Sequence, residues 1–188
     1  GGWLPPILRT VAVRGEGGMP DHRLSLSLTG QPLAARLEAT GSMAQDRSYQ
    51  ATLSRLDLDS APWGSWRLQR PMPFKLAGSR IGAGPLCLRN GQGSGGCVGF
   101  DQQEAGRWSA DIDLDRLGVE LIQGLLPGNL VADGEARIKG RFQAEGALLT
   151  GSAAADLPQG RIRVAQGRGA GEVLDLTGGR LTLDSGAS

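Results

Sequence analysis

Histidine is almost missing from this chain: His22 is the only one among 188 residues. A four-ligand zinc site needs donors at recognisable spacings, and one histidine with two cysteines nine residues apart does not supply them. Lysine is nearly as scarce. Only Lys75 and Lys139 break an arginine-dominated set of 20 basic residues, a bias that fits a GC-rich genome better than a function. Aromatic residues make up 4% of the chain, so the core cannot be built on large rings. The 20 basic and 19 acidic residues are spread evenly for a net charge of +1, without the basic stripe that phosphate-backbone binding requires. Nucleic acid is therefore excluded as a partner. No apolar run approaches the ~20 residues of a membrane helix, and no signal peptide opens the chain. Both ends are abrupt, and "LDSGAS" breaks off just after a strand-like segment. Residues 1–188 accordingly read as one continuous β-rich piece of a longer protein.

Glycine is abundant instead. Its 31 residues are about twice the ~7% average, yet with 10 prolines the total stays below the ~25–30% of low-complexity chains. Period-two alternation dominates the remainder. "RLSLSL" sets Leu24, Leu26 and Leu28 against serines, and "ATLSRLDLDS" sets Leu56 and Leu58 against Asp57 and Asp59. "WSADIDLD", "EARIKGRFQAEG", "GRIRVAQG" and "GRLTLDSG" continue the pattern, with glycines as punctuation. Strands arrive about every ten residues, the spacing of antiparallel all-β architectures. One segment departs from it. In "DRLGVELIQGLLP", Leu117, Leu121, Ile122 and Leu125 recur at helical spacing between a capping Asp115 and a terminating Pro127. One short amphipathic helix is predicted near residues 115–126. One-sided strands must hide their apolar face, either in a closed sandwich or in a long sheet curled along its length into a trough. Periodicity fits both.

The chemistry-bearing residues do not assemble into a catalytic set. His22 sits in the turn-like "GMPDHR" and reads as solvated. Gly91, Gly93 and Gly96 match G-x-G-x-x-G, but the loop runs into another strand rather than a helix. Asp111, Asp113 and Asp115 suggest calcium until Arg116 and Ile122 are found where an EF-hand needs glycine and glutamate. They read as the solvated face of a strand. Asp57 and Asp59 have no evident pocket to shift their pKa values. No cofactor, metal or catalytic residue is expected, and the chain reads as non-enzymatic.

Cys87 and Cys97 flank a glycine-rich stretch, "LRNGQGSGG", that has little to pack. A redox motif wants two intervening residues, not nine. If Leu86 and Leu88 face the core, Cys87 faces outward, and Cys97 does so if Val98 and Phe100 face inward. In a hairpin the two sulfurs then meet on the outer face, within disulfide reach. Two free thiols are the alternative. A disulfide implies an oxidising compartment, most simply the bacterial periplasm.

Trp66–Leu68–Pro71, Cys87–Leu88, Cys97, Trp108, Leu126–Pro127 and Leu130–Gly134–Gly140 follow one another as they do in the family of the translocation and assembly module subunit TamB. The chain resembles that family over roughly residues 30–165, most specifically in the cysteine hairpin. The resemblance implies a periplasmic, inner-membrane-anchored protein of a Gram-negative bacterium. It implies a long β-rich groove with a greasy interior and an outer-membrane barrel partner of the Omp85 class, docked through regions outside this piece. It further implies roles in building outer-membrane β-barrel proteins and in moving phospholipid between membranes.

Residues and resemblance together point to an elongated antiparallel sheet curled into an open, taco-like trough. Leu24, Leu26, Leu28, Leu37, Leu53, Leu58, Leu68, Leu76, Leu88, Val98, Phe100, Ile112, Leu114, Ile138 and Phe142 are expected to line its apolar side. Such a groove would shield the acyl chains of phospholipid or unfolded outer-membrane β-strands. The alternative is a structural β-solenoid spacer or adhesin-like domain with a closed core.

Overall fold

The computed structural model describes residues 7–31, 33–61, 63–104, 106–118, 130–164 and 172–186. Twelve strands account for nearly all of them: β1 (Ile7–Gly17), β2 (His22–Gln31), β3 (Leu33–Met43), β4 (Tyr49–Ser60), β5 (Gly64–Leu68), β6 (Met72–Ala77), β7 (Arg80–Asn90), β8 (Gly95–Glu104), β9 (Arg107–Gly118), β10 (Leu130–Glu145), β11 (Leu148–Val164) and β12 (Glu172–Ser185). They form one sheet in chain order, every pairing antiparallel. The exception to simple succession is β5 and β6, which lie end to end in one position between β4 and β7. Gln69, Arg70 and Pro71 separate them, and proline has no N–H to give the ladder. β1 pairs only with β2, and β12 only with β11. Because the strands alternate over an odd number of positions, β1 and β12 run in the same direction. The two edges therefore cannot close on each other by antiparallel pairing.

No helix occurs among the described residues, and none there is long and apolar enough to cross a membrane. The helix expected near residues 115–126 is overturned at its start: residues 115–118 are the end of β9. Arg116, at φ 53°, makes a bulge there, and Leu117 pairs with Ala136 of β10. The ladder partner, and the Asp115–Arg137 ion pair at 3.6 Å, outweigh a weak helical spacing that already contains Gly118. Residues 119–126 lie outside the described residues.

Bulges decide which side chains share a face. Glu38 pairs with Arg55 but Ala39 with Leu53, so Ser54 is an extra residue in β4. This brings Leu53 onto the same face as Leu56 and Leu58 despite their opposite parity. A second bulge at Gly84–Pro85 does the same for Ile81 and Ala83 relative to Leu86 and Leu88. Among the described residues the only buried apolar positions are Cys87 (3% exposed) and Ala144 (8%), and no large side chain is fully enclosed. The sheet is a single layer. A sandwich of this many strands would have enclosed its leucines.

The opposite face is held by ion pairs placed directly across strands. Asp111 meets Arg141 at 2.6 Å, Asp113 meets Lys139 at 3.7 Å, and Arg107 meets Glu145 at 2.8 Å, all between β9 and β10. Arg161–Asp175 and Arg180–Asp156 repeat the device between β11 and β12. Exposed pairs each contribute little, but they fix register, since a slip of one residue would send every leucine to the wrong side. The double variant Asp111→Arg/Asp113→Lys is expected to lower the urea midpoint. Adding Arg141→Asp/Lys139→Asp should recover much of the loss. An unchanged midpoint in the first variant would deny the ladder its role.

Candidate functional site

Strand pairing carries apolar residues across the sheet in rows. One row runs Val13–Leu26–Leu37–Leu56 across β1 to β4. It resumes as Leu68–Leu88–Gly96–Leu114–Ile138–Ala155–Leu181 across β5 and β7 to β12. Leu24, Ala39, Leu53 and Met72 stand beside it on one flank, continued by Val98, Ile112, Gly140, Ala153 and Leu183. Leu28 and Leu58, with Ala35 between them and Trp66 beyond, stand on the other. Leu76, Phe100 and Phe142 lie toward the strand ends of the same face. Pairing and bulges thus place every residue named from the sequence for the apolar side on one surface. Val13, Leu56, Leu181 and Leu183 belong to it too, although the sequence reading did not select them; each sits in an alternating run, which was the available signal. Among the described residues nothing encloses this surface: its middle leucines are half-buried by their neighbours in the sheet. Val13 is 65% exposed and Leu181 72% exposed at the two edges.

A further row ends in rings: His22–Gly41–Ala51–Phe74–Ala83–Phe100–Ala110–Phe142–Gly151. His22 is not the solvated loop residue expected of it. It starts β2, is half-buried, and hydrogen-bonds Tyr49 Oη through Nε2 at 2.9 Å. The space for this pair is the missing side chain of Gly41, where a Cβ would collide with both partners.

The other candidates resolve into structure. Asp111, Asp113 and Asp115 point to the polar face and are paired with β10 cations, and Asp57 is paired with Arg55 at 2.6 Å. Gly91 and Gly93 belong to a turn, and Gly96 to β8. No group of metal-binding side chains occurs among the described residues. In the β3–β4 turn the Ser48 hydroxyl and N–H both donate to Asp46 and hold its carboxyl below the usual range. A depression of about 790 Å³ is an open saucer on the polar face bounded by Asp111, Asp113, Lys139 and Arg141, which already satisfy one another.

Behind the leucines, Cys87 and Cys97 are directly opposed on β7 and β8, with Cα atoms 4.0 Å apart and the sulfurs bonded. The segment between them is not floppy. Pairing continues past the cysteines to Arg89–Gly95, and the Asn90 side-chain oxygen accepts from the N–H groups of Gln92 (3.0 Å) and Ser94 (2.9 Å). Ser94 Oγ in turn accepts from Gly118 N–H at 3.2 Å, tying the turn to the end of β9. On the outer side Gln69 N–H donates to the Cys87 carbonyl at 2.9 Å, and Arg70 reaches Cys97 Sγ at 4.0 Å. The bond therefore staples the sheet next to the β5–β6 break, where its ladder is interrupted.

A family model described as TamB, N-terminal domain, matches residues 7–186, which span all twelve strands. No solved structure matches the chain.

The disulfide gives this region its test. Thiol titration of the unfolded, unreduced protein should find no free thiol. Cys97→Ser should cost roughly 2–3 kcal/mol, the entropy of closing so short a loop, read as a lower denaturation midpoint.

Proposed function

The chain belongs to the TamB family, and from that premise we propose that its apolar face is a non-enzymatic shield for lipid acyl chains in transit between the inner and outer membranes. The observation that carries this reading is the aliphatic row from Val13 to Leu181, which crosses the whole sheet with none of the described residues laid over it. Each buried CH2 gains about 0.8 kcal/mol, so a leucine surface can hold acyl chains without polar recognition. Ten strand spacings of ~4.8 Å make the row about 48 Å long. The right-handed twist of strands, together with the bulges at Ser54, Gly84–Pro85 and Asp115–Arg116, supplies the bending that would curl this face into an open trough. The Cys87–Cys97 bond suits the periplasm. In this reading the chain is part of an inner-membrane-anchored protein of a Gram-negative bacterium. Its Omp85-class barrel partner is engaged by regions outside this piece.

A second reading has its own support. The edges β1 and β12 carry unpaired backbone groups beside exposed Val11, Val13, Leu181 and Leu183. An unfolded outer-membrane β-strand would add to either edge by augmentation. A closed structural spacer is disfavoured by the same exposure.

Leu114→Arg and Ile138→Asp discriminate between open and closed surfaces. On an open face the arginine stem lies along the wall and its charge reaches water. Far-UV circular dichroism should then stay near wild type while lipid transport by the full-length protein is lost. Unfolding of both variants would favour a closed core, and unchanged transport in folded variants would remove the conduit.

A further inference from the structure

Six of the chain's nine rings lie at one end of its strands. All three phenylalanines, the single tyrosine and the single histidine lie in the two rows of the apolar face nearest the turns at residues 17–22, 43–49, 77–80 and 104–107. Trp108 completes the group. Phe74, Phe100 and Phe142 occupy every second strand position, about 9–10 Å apart, each flanked by alanine or glycine. Five of the six rings meet in two groups: His22 stacks on Tyr49 at 5.5 Å and Tyr49 meets Phe74 edge-on at 6.4 Å, while Phe100 meets Trp108 at 6.1 Å. The middle row of the same face holds no ring at all. At the far strand end Trp66 does lie on this face, but its indole N–H is closed onto the Trp63 carbonyl at 2.7 Å.

Toward this end β2 and β4 pass from leucine to imidazole and phenol, and β6, β8 and β10 pass from aliphatic residues to a phenyl ring, before the turns. A glycerophospholipid has the same order, from acyl chain through ester to head group, and amphipathic rings favour the boundary between them. We propose that the His22–Tyr49–Phe74–Phe100–Trp108–Phe142 band is the head-group lip of the groove. It orients each bound phospholipid with its tails over the leucine row and its ester and head group at this one edge. The inference rests on the lipid reading above and adds a direction to it. A surface that merely bound hydrocarbon would accept tails either way round.

Two native tryptophans report the two ends. Trp108 is level with Ile81 through Gln102, while Trp66 pairs with Asn90, and the intervening length of β7 separates the two by roughly 27 Å at ~3.4 Å per residue. Variants of the purified chain keeping only Trp108 or only Trp66, with the remaining tryptophans changed to phenylalanine, would be loaded with phosphatidylcholine labelled in one of two places. A nitroxide on the head group should quench Trp108 at least about two-fold more than Trp66, and bromines deep in the acyl chains should reverse or erase that bias. If the Trp66 variant loses its β circular dichroism, Leu28→Cys carrying a fluorophore takes its place as the far-end reporter, in a background that keeps all four native tryptophans and the Cys87–Cys97 bond. Equal head-group quenching of both reporters, or stronger quenching of the far one, overturns the lip while the lipid reading stands. Quenching of neither reporter by either label removes the lipid reading, and the lip with it.

Discussion

A single-layer sheet cannot bury its own apolar face, and everything else about this molecule follows from that constraint. Burial is the dominant favourable term in folding, yet Cys87 and Ala144 are the only buried apolar residues described. Among the described residues the leucines have neighbours along and across strands and no second layer above them. Such a surface needs an apolar guest or neighbour to remove it from water. The row from Val13 to Leu181, half-buried along its middle and exposed at its two edges, is such a surface.

Without an enclosing core, register has to be enforced within the layer. Three devices do this at different places. Ion pairs opposite one another lock β9 to β10 and β11 to β12. The Cys87–Cys97 bond locks β7 to β8 beside the position where β5 stops and β6 begins. Rings laid over small neighbours fill the aromatic end, as Tyr49 and His22 do above Gly41. Each device is local, which suits a long sheet whose parts cannot support one another across a core.

The two faces divide the labour. Charges pair with one another across strands on the outer side, as Asp111 does with Arg141 and Asp113 with Lys139. The other side is graded rather than pocketed: aliphatic side chains form its middle rows, and the ring band beside His22 and Tyr49 lies at one end of the strands.

Some of this was legible in the residues alone. Alternation in "RLSLSL" and "WSADIDLD" depends only on the period-two geometry of a strand, and it announced the all-β class and the identity of the apolar face. The shared outward parity of Cys87 and Cys97 was visible for the same reason. Pairing was not visible. Leu53 and Leu58 differ in parity, and only the Ser54 bulge, which exists because β3 sets the ladder, puts them on one side. His22 looked solvated because its partner is 27 residues away and the space they share belongs to Gly41. Residues 115–118 carried a helical spacing that a strand partner outweighed. Phe100 and Phe142 were assigned to the apolar face from alternation, but only pairing set them in one row with Phe74. A chain fixes by itself what depends on neighbours along it; what depends on neighbours across it is decided only when the strands meet.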